Sequence, residues 1–233
     1  MLPVPFRRIG KGVYSLAEAE RLAKVSRQRI RRWTRGYTYR YKGEVRHTPP
    51  IIAGEAEQSS REGPLLSFLD LLEVRFLNAF LEHGVSWKAI RIAALNAREL
   101  LGRHHPFSTR IFKTDGQTIL AEIIKGTEDK VLLDLVKNQY VFKQIVAPYL
   151  YEGIEFNASN DPERWWPLGK KHAVVIDPER GFGAPIVARS GVPTKILADA
   201  VKAEGSIEFV AKWYEVTPRE VRDAVKFEDQ LAA

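Results

Sequence analysis

Two short stretches of helical periodicity flank a tight link near the start of the chain, in YSLAEAERLAKVSRQRIRRWTRGY from Tyr14 to Tyr37. Ala19 and Leu22 fall on one face of the first stretch, and Ile30 and Trp33 on one face of the second. Lys24-Val25-Ser26 supplies the link, with Ser26 placed as the N-cap that restarts the helix. This is a helix-turn-helix pattern. The polar side of the second helix carries Arg27, Gln28, Arg31, Arg32 and Arg35. Beyond it, Tyr37, Tyr39 and Tyr41 alternate up to Lys42-Gly43, and Val45 follows, which predicts a β-hairpin where a winged helix-turn-helix carries its wing.

The rest of the chain reads as mainly helical. Residues 53–64 are small, polar and weakly acidic and predict a flexible linker. Phe68, Leu71, Leu72, Val74, Phe76, Leu77, Phe80 and Leu81 fill more than one face of a helix, which predicts burial on several sides. Gly84-Val85-Ser86 ends it and caps a second helix from Trp87 to about Leu101. IFKTDGQTILAEI, with Asp115-Gly116, predicts a hairpin. A mixed segment around Leu132–Val136 and a helix from Phe142 to Tyr151 precede a strand near Ile154–Phe156. Turns and short strands occupy 167–193. Helices are expected at about 195–204 and 207–214, with a last one from Pro218.

The pattern echoes itself. Ser206 to Thr217 repeats the eleven-residue step from Ser15 to Ser26, so that Val216 matches Val25, Val221 matches Ile30 and Trp213 matches Leu22. A shorter echo, Val85-Ser86 followed by Ile90, lies in the middle. The C-terminal copy mixes Arg219, Arg222 and Lys226 with Glu220 and Asp223. Mixed signs suit a protein contact better than a phosphate rail. The expectation is that the N-terminal copy holds DNA and the C-terminal copy organises protein contacts.

Charge sharpens this picture. The net charge is +7, yet residues 1–50 hold 13 Lys/Arg against three Asp/Glu, while residues 51–233 hold 23 against 26. A positive field confined to the first fifth of the chain, beside a helix-turn-helix, is the footprint of phosphate binding. Arginine reads guanine edges bidentately and glutamine reads adenine. Arg27, Gln28 and Arg31, near the helix start, are the expected base readers; Arg32, Arg35, Lys42 and Arg46 are the expected phosphate contacts. Arg29 borders the packed face.

Other chemistry is sparse. With 45% apolar and 28% charged residues the composition is that of a soluble protein with a core, and there is no cysteine. Neither a signal peptide nor a membrane span is evident, so a cytoplasmic location is expected. No cofactor or metal is expected: His104-His105 reads as a surface turn, because no cysteine or helical His-x-x-x-His supports a metal. Asp177, Glu179 and Arg180 read as a turn with an exposed charge cluster rather than an acid–base set. Nucleophile elbow, phosphate loop and dinucleotide fingerprint are all lacking, so no enzymatic activity is expected. Trp33 and Trp213 are expected in the core; for the Trp165-Trp166 pair, core or strand packing is expected over the alternative of an exposed partner anchor.

The tail, Val174-Val175-Ile176-Asp177-Pro178-Glu179, then Gly181-Phe182-Gly183-Ala184-Pro185-Ile186-Val187 and Ser190-Gly191-Val192-Pro193, resembles a small bacterial domain in which a short β segment precedes a trihelical helix-turn-helix. That domain is typical of VapB-type antitoxins encoded beside PIN-like ribonuclease toxins. Tyr14–Tyr37 is similar to the MerR-like helix-turn-helix that opens longer family members. The resemblance covers both ends of the chain and is loose from about 103 to 170. It implies three segments: a MerR-like winged helix-turn-helix at 1–51, a helical middle with a β-hairpin at 64–160, and a C-terminal β-hairpin plus trihelical unit at 172–233. It further implies a non-enzymatic antitoxin that binds operator DNA, represses its own operon and neutralises a PIN-like toxin through residues that cannot be assigned by position. The alternative is a MerR-like regulator answering a small effector. A palindromic operator calls for a two-fold dimer, with helix 65–81 or the C-terminal unit as the expected interface.

Overall fold

The computed structural model describes residues 12–52, 59–60, 63–125 and 150–232. The chain forms two compact units. One comprises residues 14–151 with 158–162; the other comprises 1–13, 152–157 and 163–233. The helix-turn-helix with its hairpin and the helices of the expected middle segment thus belong to the same unit.

In that first unit, β1 (Val13–Tyr14) leads into α1 (Leu16–Ala23) and α2 (Arg27–Arg35), followed by β2 (Tyr37–Tyr41) and β3 (Glu44–Thr48). Short pairs β4 (Ser59–Ser60) and β5 (Gly63–Pro64), and then β6 (Leu66–Ser67), precede the long helices α3 (Phe68–Glu82), α4 (Trp87–Leu101) and α5 (Arg110–Lys125). A capping box starts α1: the Ser15 hydroxyl accepts from the Glu18 amide at 3.3 Å, and the Ser15 amide donates to the Glu18 carboxylate at 2.8 Å. Ser67 and Asp70 repeat the device at the start of α3.

Helix α3 is the spine of the unit. Phe68, Leu71, Leu72, Val74, Phe76, Leu77 and Phe80 are all buried, so the apolar helix expected as a dimer interface is already covered by its own chain. Burial of the full set stabilises the fold rather than an association. Residues 110–125 correct the expected hairpin at Asp115-Gly116, because they run as one helix. Phe112, Ile119 and Leu120 are buried, and their spacing, with Gly116 on the same stripe, is helical. Burying that stripe outweighs the turn propensity of Asp-Gly, a local preference of only about 1 kcal/mol. The Leu132–Val136 segment and most of the expected helix 142–151 lie outside the described residues.

His105 corrects a second expectation. Rather than standing in an exposed turn, its Nε2 lies 2.7 Å from Asp70 Oδ1, with both side chains largely buried. Nearby, Glu73 accepts the Ser108 amide at 3.1 Å. The 102–109 turn is thereby fastened to α3. Burial disfavours the charged form of all three groups. At Asp70 the hydrogen bond and charge of His105 outweigh it and hold the carboxyl low; at His105 the same Asp70 pairing raises the imidazole. At Glu73 burial wins and pushes the carboxyl up to about 7, against the pull of His105, Arg98 and the two amides.

Glu73 therefore keeps its proton in the folded chain above pH 4.5, where an unfolded glutamate has lost it. Its contribution is complete below that value and is lost as pH rises through about 7, a change of order 3 kcal/mol. His105, also raised, loses its contribution in the same direction. Asp70, lowered, loses stability only in acid. The melting temperature is expected to fall between pH 5 and pH 8, and to fall less in Glu73→Gln, whose amide oxygen still accepts from the turn. Coincident pH profiles in thermal melts of the two proteins would show that Glu73 ionises freely when folded.

The second unit holds an antiparallel sheet in the order β10-β9-β8-β7, from β7 (Ile154–Phe156), β8 (Pro162–Trp165), β9 (Val174–Ile176) and β10 (Pro185–Val187). Three helices follow, α6 (Thr194–Glu204), α7 (Ile207–Trp213) and α8 (Pro218–Ala232). Val187, Leu197, Val210, Ala211, Val216, Val221 and Ala224 make one core between them. Asp177 is buried, not part of an exposed cluster: it pairs with Arg164 at 3.0 Å and accepts the Glu179 amide at 3.0 Å, closing the turn. Trp165 is buried as expected. Trp213 is not. It stands 69% exposed, its ring 5.6 Å from that of Phe209, because the inner face of the seven-residue α7 is already supplied by Val210 and Ala211.

Candidate nucleic-acid interface

The link between α1 and α2 takes the form the sequence predicts. Lys24 adopts a left-handed conformation at φ 56°, Val25 is buried, and the Ser26 hydroxyl accepts from the Arg29 amide at 3.4 Å. Ala19, Leu22, Ile30 and Trp33 are buried on the inner side. Trp33 stacks on Trp87 of α4 with ring centroids 5.5 Å apart and planes 12° from parallel. Its carbonyl accepts the amides of both Ile51 and Ile52, at 2.8 and 2.9 Å. The buried Thr34 hydroxyl donates to the Ile30 carbonyl at 3.0 Å. A nine-residue helix is too short to be stable in isolation, and these tertiary ties hold it.

The outward side carries the expected ridge. Gln28, Arg31, Arg32 and Arg35 are exposed, and among the described residues no carboxylate pairs with the three arginines. Arg27 is engaged: its Nε lies 2.5 Å from Glu20 of α1, and its amide donates to the same carboxylate at 3.2 Å. That pairing lowers the Glu20 pKa. Arg29, still exposed, donates to Asn78 of α3 at 2.8 Å and so ties the helix to the unit's spine. Asn78 in turn donates to Glu82 at 2.7 Å. The sequence signal for Arg29 was its position beside the packed face; its partner lies 49 residues away and is invisible in the pattern.

The hairpin is exposed on both faces. Tyr37 pairs with Thr48 and Tyr41 with Glu44, and Lys42 and Gly43 close the turn at φ 50° and 86°, the mirror-image geometry that matches strand twist. Tyr37, Tyr39 and Tyr41 share one face, and the cations gather on it. The Arg32 guanidinium sits 5.5 Å from the Tyr37 ring, while Arg46 and Lys42 sit 4.8 and 5.6 Å from the Tyr41 ring. Rings that face guanidinium groups hold them extended with an order of 1 kcal/mol each, and Arg46 is also paired through Nη2 with the exposed Glu44 at 3.4 Å. The sequence shows the tyrosine alternation but not this pairing, which needs the hairpin folded back beside α2. Arg40, on the other hairpin face, is a further exposed cation outside the expected set.

The hairpin's place is set by Gly36 and by two arginines of α4. Gly36 has φ 72° and ψ −174°, and a Cβ there would stand 2.3 Å from the Thr48 carbonyl oxygen. Arg91 donates to the Pro49 carbonyl at 2.8 Å, and Arg98 donates to the Ile51 carbonyl and, at 2.8 Å, to that of His104. α2, its hairpin and α4 are thus parts of one interlocked body, with its cations on the outside. Among the described residues no three metal-ligating side chains converge, and no helix is long and apolar enough to cross a membrane.

The comparisons agree with this layout. Residues 12–94 match the family model "Putative DNA-binding HTH domain", a stretch running through the hairpin into α4, and residues 174–227 match "Protein of unknown function (DUF433)". The crystal structure of Rv2018 from Mycobacterium tuberculosis aligns with a TM-score of 0.72 and 29% identity, over 91% of this chain and 96% of that one. The Mycobacterium tuberculosis (strain ATCC 25618 / H37Rv) protein "Putative antitoxin VapB45" is 32% identical over 232 residues, covering 95% of this chain and 94% of its own length. With both ends and the interlocked first unit spanned by that similarity, the chain belongs to the VapB45 antitoxin family.

Proposed function

We propose that the protein is the antitoxin of a type II toxin–antitoxin pair, which represses its own operon by DNA binding and neutralises a PIN-like ribonuclease by direct contact. The observation that carries the DNA half is the α2 ridge: Gln28, Arg31, Arg32 and Arg35 face outward from a helix whose inner face is locked by Ile30 and Trp33. In this reading α2 enters the major groove as in a MerR-like winged helix-turn-helix. Gln28 and Arg31 reach base edges, with Arg27 beside them. Arg32, Arg35, Lys42 and Arg46 lie along the phosphates, the last two on the hairpin as a wing. A homodimer presents two such readers to a palindromic operator. The toxin half rests on family membership.

Titration of the native promoter tests the first half. Arg31→Ala is expected to weaken binding by about 1–3 kcal/mol and relax base preference, whereas Arg32→Ala is expected to weaken all sequences alike and reduce the salt slope by about one. Arg31 is exposed and Arg31→Ala should melt like the parent, while Arg32→Ala gives up the Tyr37 ring contact and should lose no more than about 1 kcal/mol. Unchanged binding in both would retire α2 as the reader. Co-expression with the adjacent nuclease gene tests the second half, the expected result being a stable complex with suppressed ribonuclease activity.

A further inference from the structure

The helix α8 of the second unit repeats the geometry of α2 with a different surface. After α7, Glu215 is left-handed at φ 53°, Val216 is buried and Thr217 caps α8, as Lys24, Val25 and Ser26 do before α2. Counting from each cap, the buried Val221 falls where Ile30 does and Ala224 where Trp33 does. The outward steps then coincide: Arg219 with Gln28, Arg222 with Arg31 and Lys226 with Arg35, all exposed.

The acidic residues that blur this ridge in the sequence point the other way. Glu220 is 8% and Asp223 7% exposed. Glu220 takes Arg189 through two contacts of 3.0 Å and the Thr217 amide at 2.7 Å, and these partners hold its carboxyl down at about 2. Asp223 accepts from the Ala173 amide at 2.9 Å and lies 2.8 Å from His172 Nδ1. Glu228 is bonded to Thr194 at 2.5 Å. Three of the helix's four carboxylates are therefore consumed inside the unit. The fourth, Asp229, lines the same shallow groove as Arg222 and Lys226 at its far end. Among the described residues neither Arg222 nor Lys226 has an ion-pair partner, and Arg219, which donates to the Lys171 carbonyl at 2.7 Å, brings the exposed Lys171 beside the helix start.

We propose that the outward ridge of α8, Arg219, Arg222 and Lys226, is a second DNA-contacting surface of this chain. Three of the four acidic residues behind the mixed signs are turned into the unit, which leaves Asp229 as the carboxylate beside the ridge. Two cations four residues apart, on the step that Arg31 and Arg35 occupy, match a run of phosphates along a duplex backbone. The aromatic pair Phe209–Trp213 lies on α7 and is not part of the ridge.

The full-length protein and its native promoter supply the test. Arg222→Gln with Lys226→Gln is expected to weaken binding about tenfold at moderate salt and to reduce the salt slope by about two, one per phosphate contact. Part of the hydroxyl-radical footprint that survives Arg31→Gln with Arg35→Gln should disappear. The charge-conserving pair Arg222→Lys and Lys226→Arg should restore the slope, and thermal melts should be unchanged throughout. Parent-like affinity, slope and footprint in the double glutamine variant would overturn the proposal, and loss of a co-purifying nuclease with DNA binding intact would reassign the ridge to a protein contact. If α8 substitutions weaken binding while α2 substitutions do not, the α2 reading fails and this one stands. If neither does, both fail.

Discussion

Trp33→Ala should destabilise the first unit by about 3–5 kcal/mol, the range for removing a large aromatic from a packed core. The indole is buried, and its stacking on Trp87 adds an order of 1 kcal/mol beyond the area it covers. The loss reaches further than a cavity. The two amides that the Trp33 carbonyl receives from Ile51 and Ile52 close the hairpin back onto the end of α2, and a helix freed from its inner anchor frays at that end. Promoter binding should therefore fall even though none of the proposed contact residues has changed. Trp33→Phe, which keeps a ring opposite Trp87, should recover most of the stability. Chemical denaturation monitored by tryptophan fluorescence would measure both. A loss below 1 kcal/mol would mean that α2 is held elsewhere.

Gly36→Ala should cost about 3 kcal/mol or more and should displace the hairpin. At φ 72° and ψ −174° the residue lies in a region essentially closed to residues with a Cβ, itself about 1–3 kcal/mol of strain. The clash with the Thr48 carbonyl oxygen at 2.3 Å involves backbone, so no side-chain rotation relieves it. The chain must open the junction between β2 and the end of β3, which is the junction that sets Tyr37 beside Arg32. Gly43→Ala, at φ 86° with open space around it, bears conformational strain alone and is the control. Equal melting temperatures for the two variants would show that the Thr48 contact gives way without cost. With the hairpin displaced, the expected change in promoter binding is a smaller salt slope, since the contacts proposed for Lys42 and Arg46 are lost while those proposed for α2 remain.

Much of the first helix-turn-helix was legible because its determinants are local. Ser15 and Ser26 as caps, the Val25 link, the inner pair Ile30 and Trp33, and the Lys42-Gly43 turn each follow from a few neighbouring residues. The C-terminal echo was legible for the same reason, and the structure adds that both links place a left-handed residue before the buried valine. The failures share a different cause. Asp115-Gly116 is a turn signal until the stripe of Phe112, Ile119 and Leu120 finds a buried face, whereupon a helix forms through it. Trp213 was expected in the core from its helical spacing with neighbouring aliphatics, but a short helix buries only the side chains on its inner side.

Charge direction is the clearest division between the two levels. The sequence by itself determined where cations concentrate, which helices restart at a cap and which apolar positions face inward, because composition and period depend only on order along the chain. Which charges are paired was decided by the tertiary structure. Arg27 goes to Glu20, Arg29 to Asn78, Glu220 to Arg189 and Asp223 to His172. His105 is joined to Asp70 across 35 residues. Each pairing depends on two elements brought together by packing, and desolvation makes an unpaired charge costly only once that packing exists.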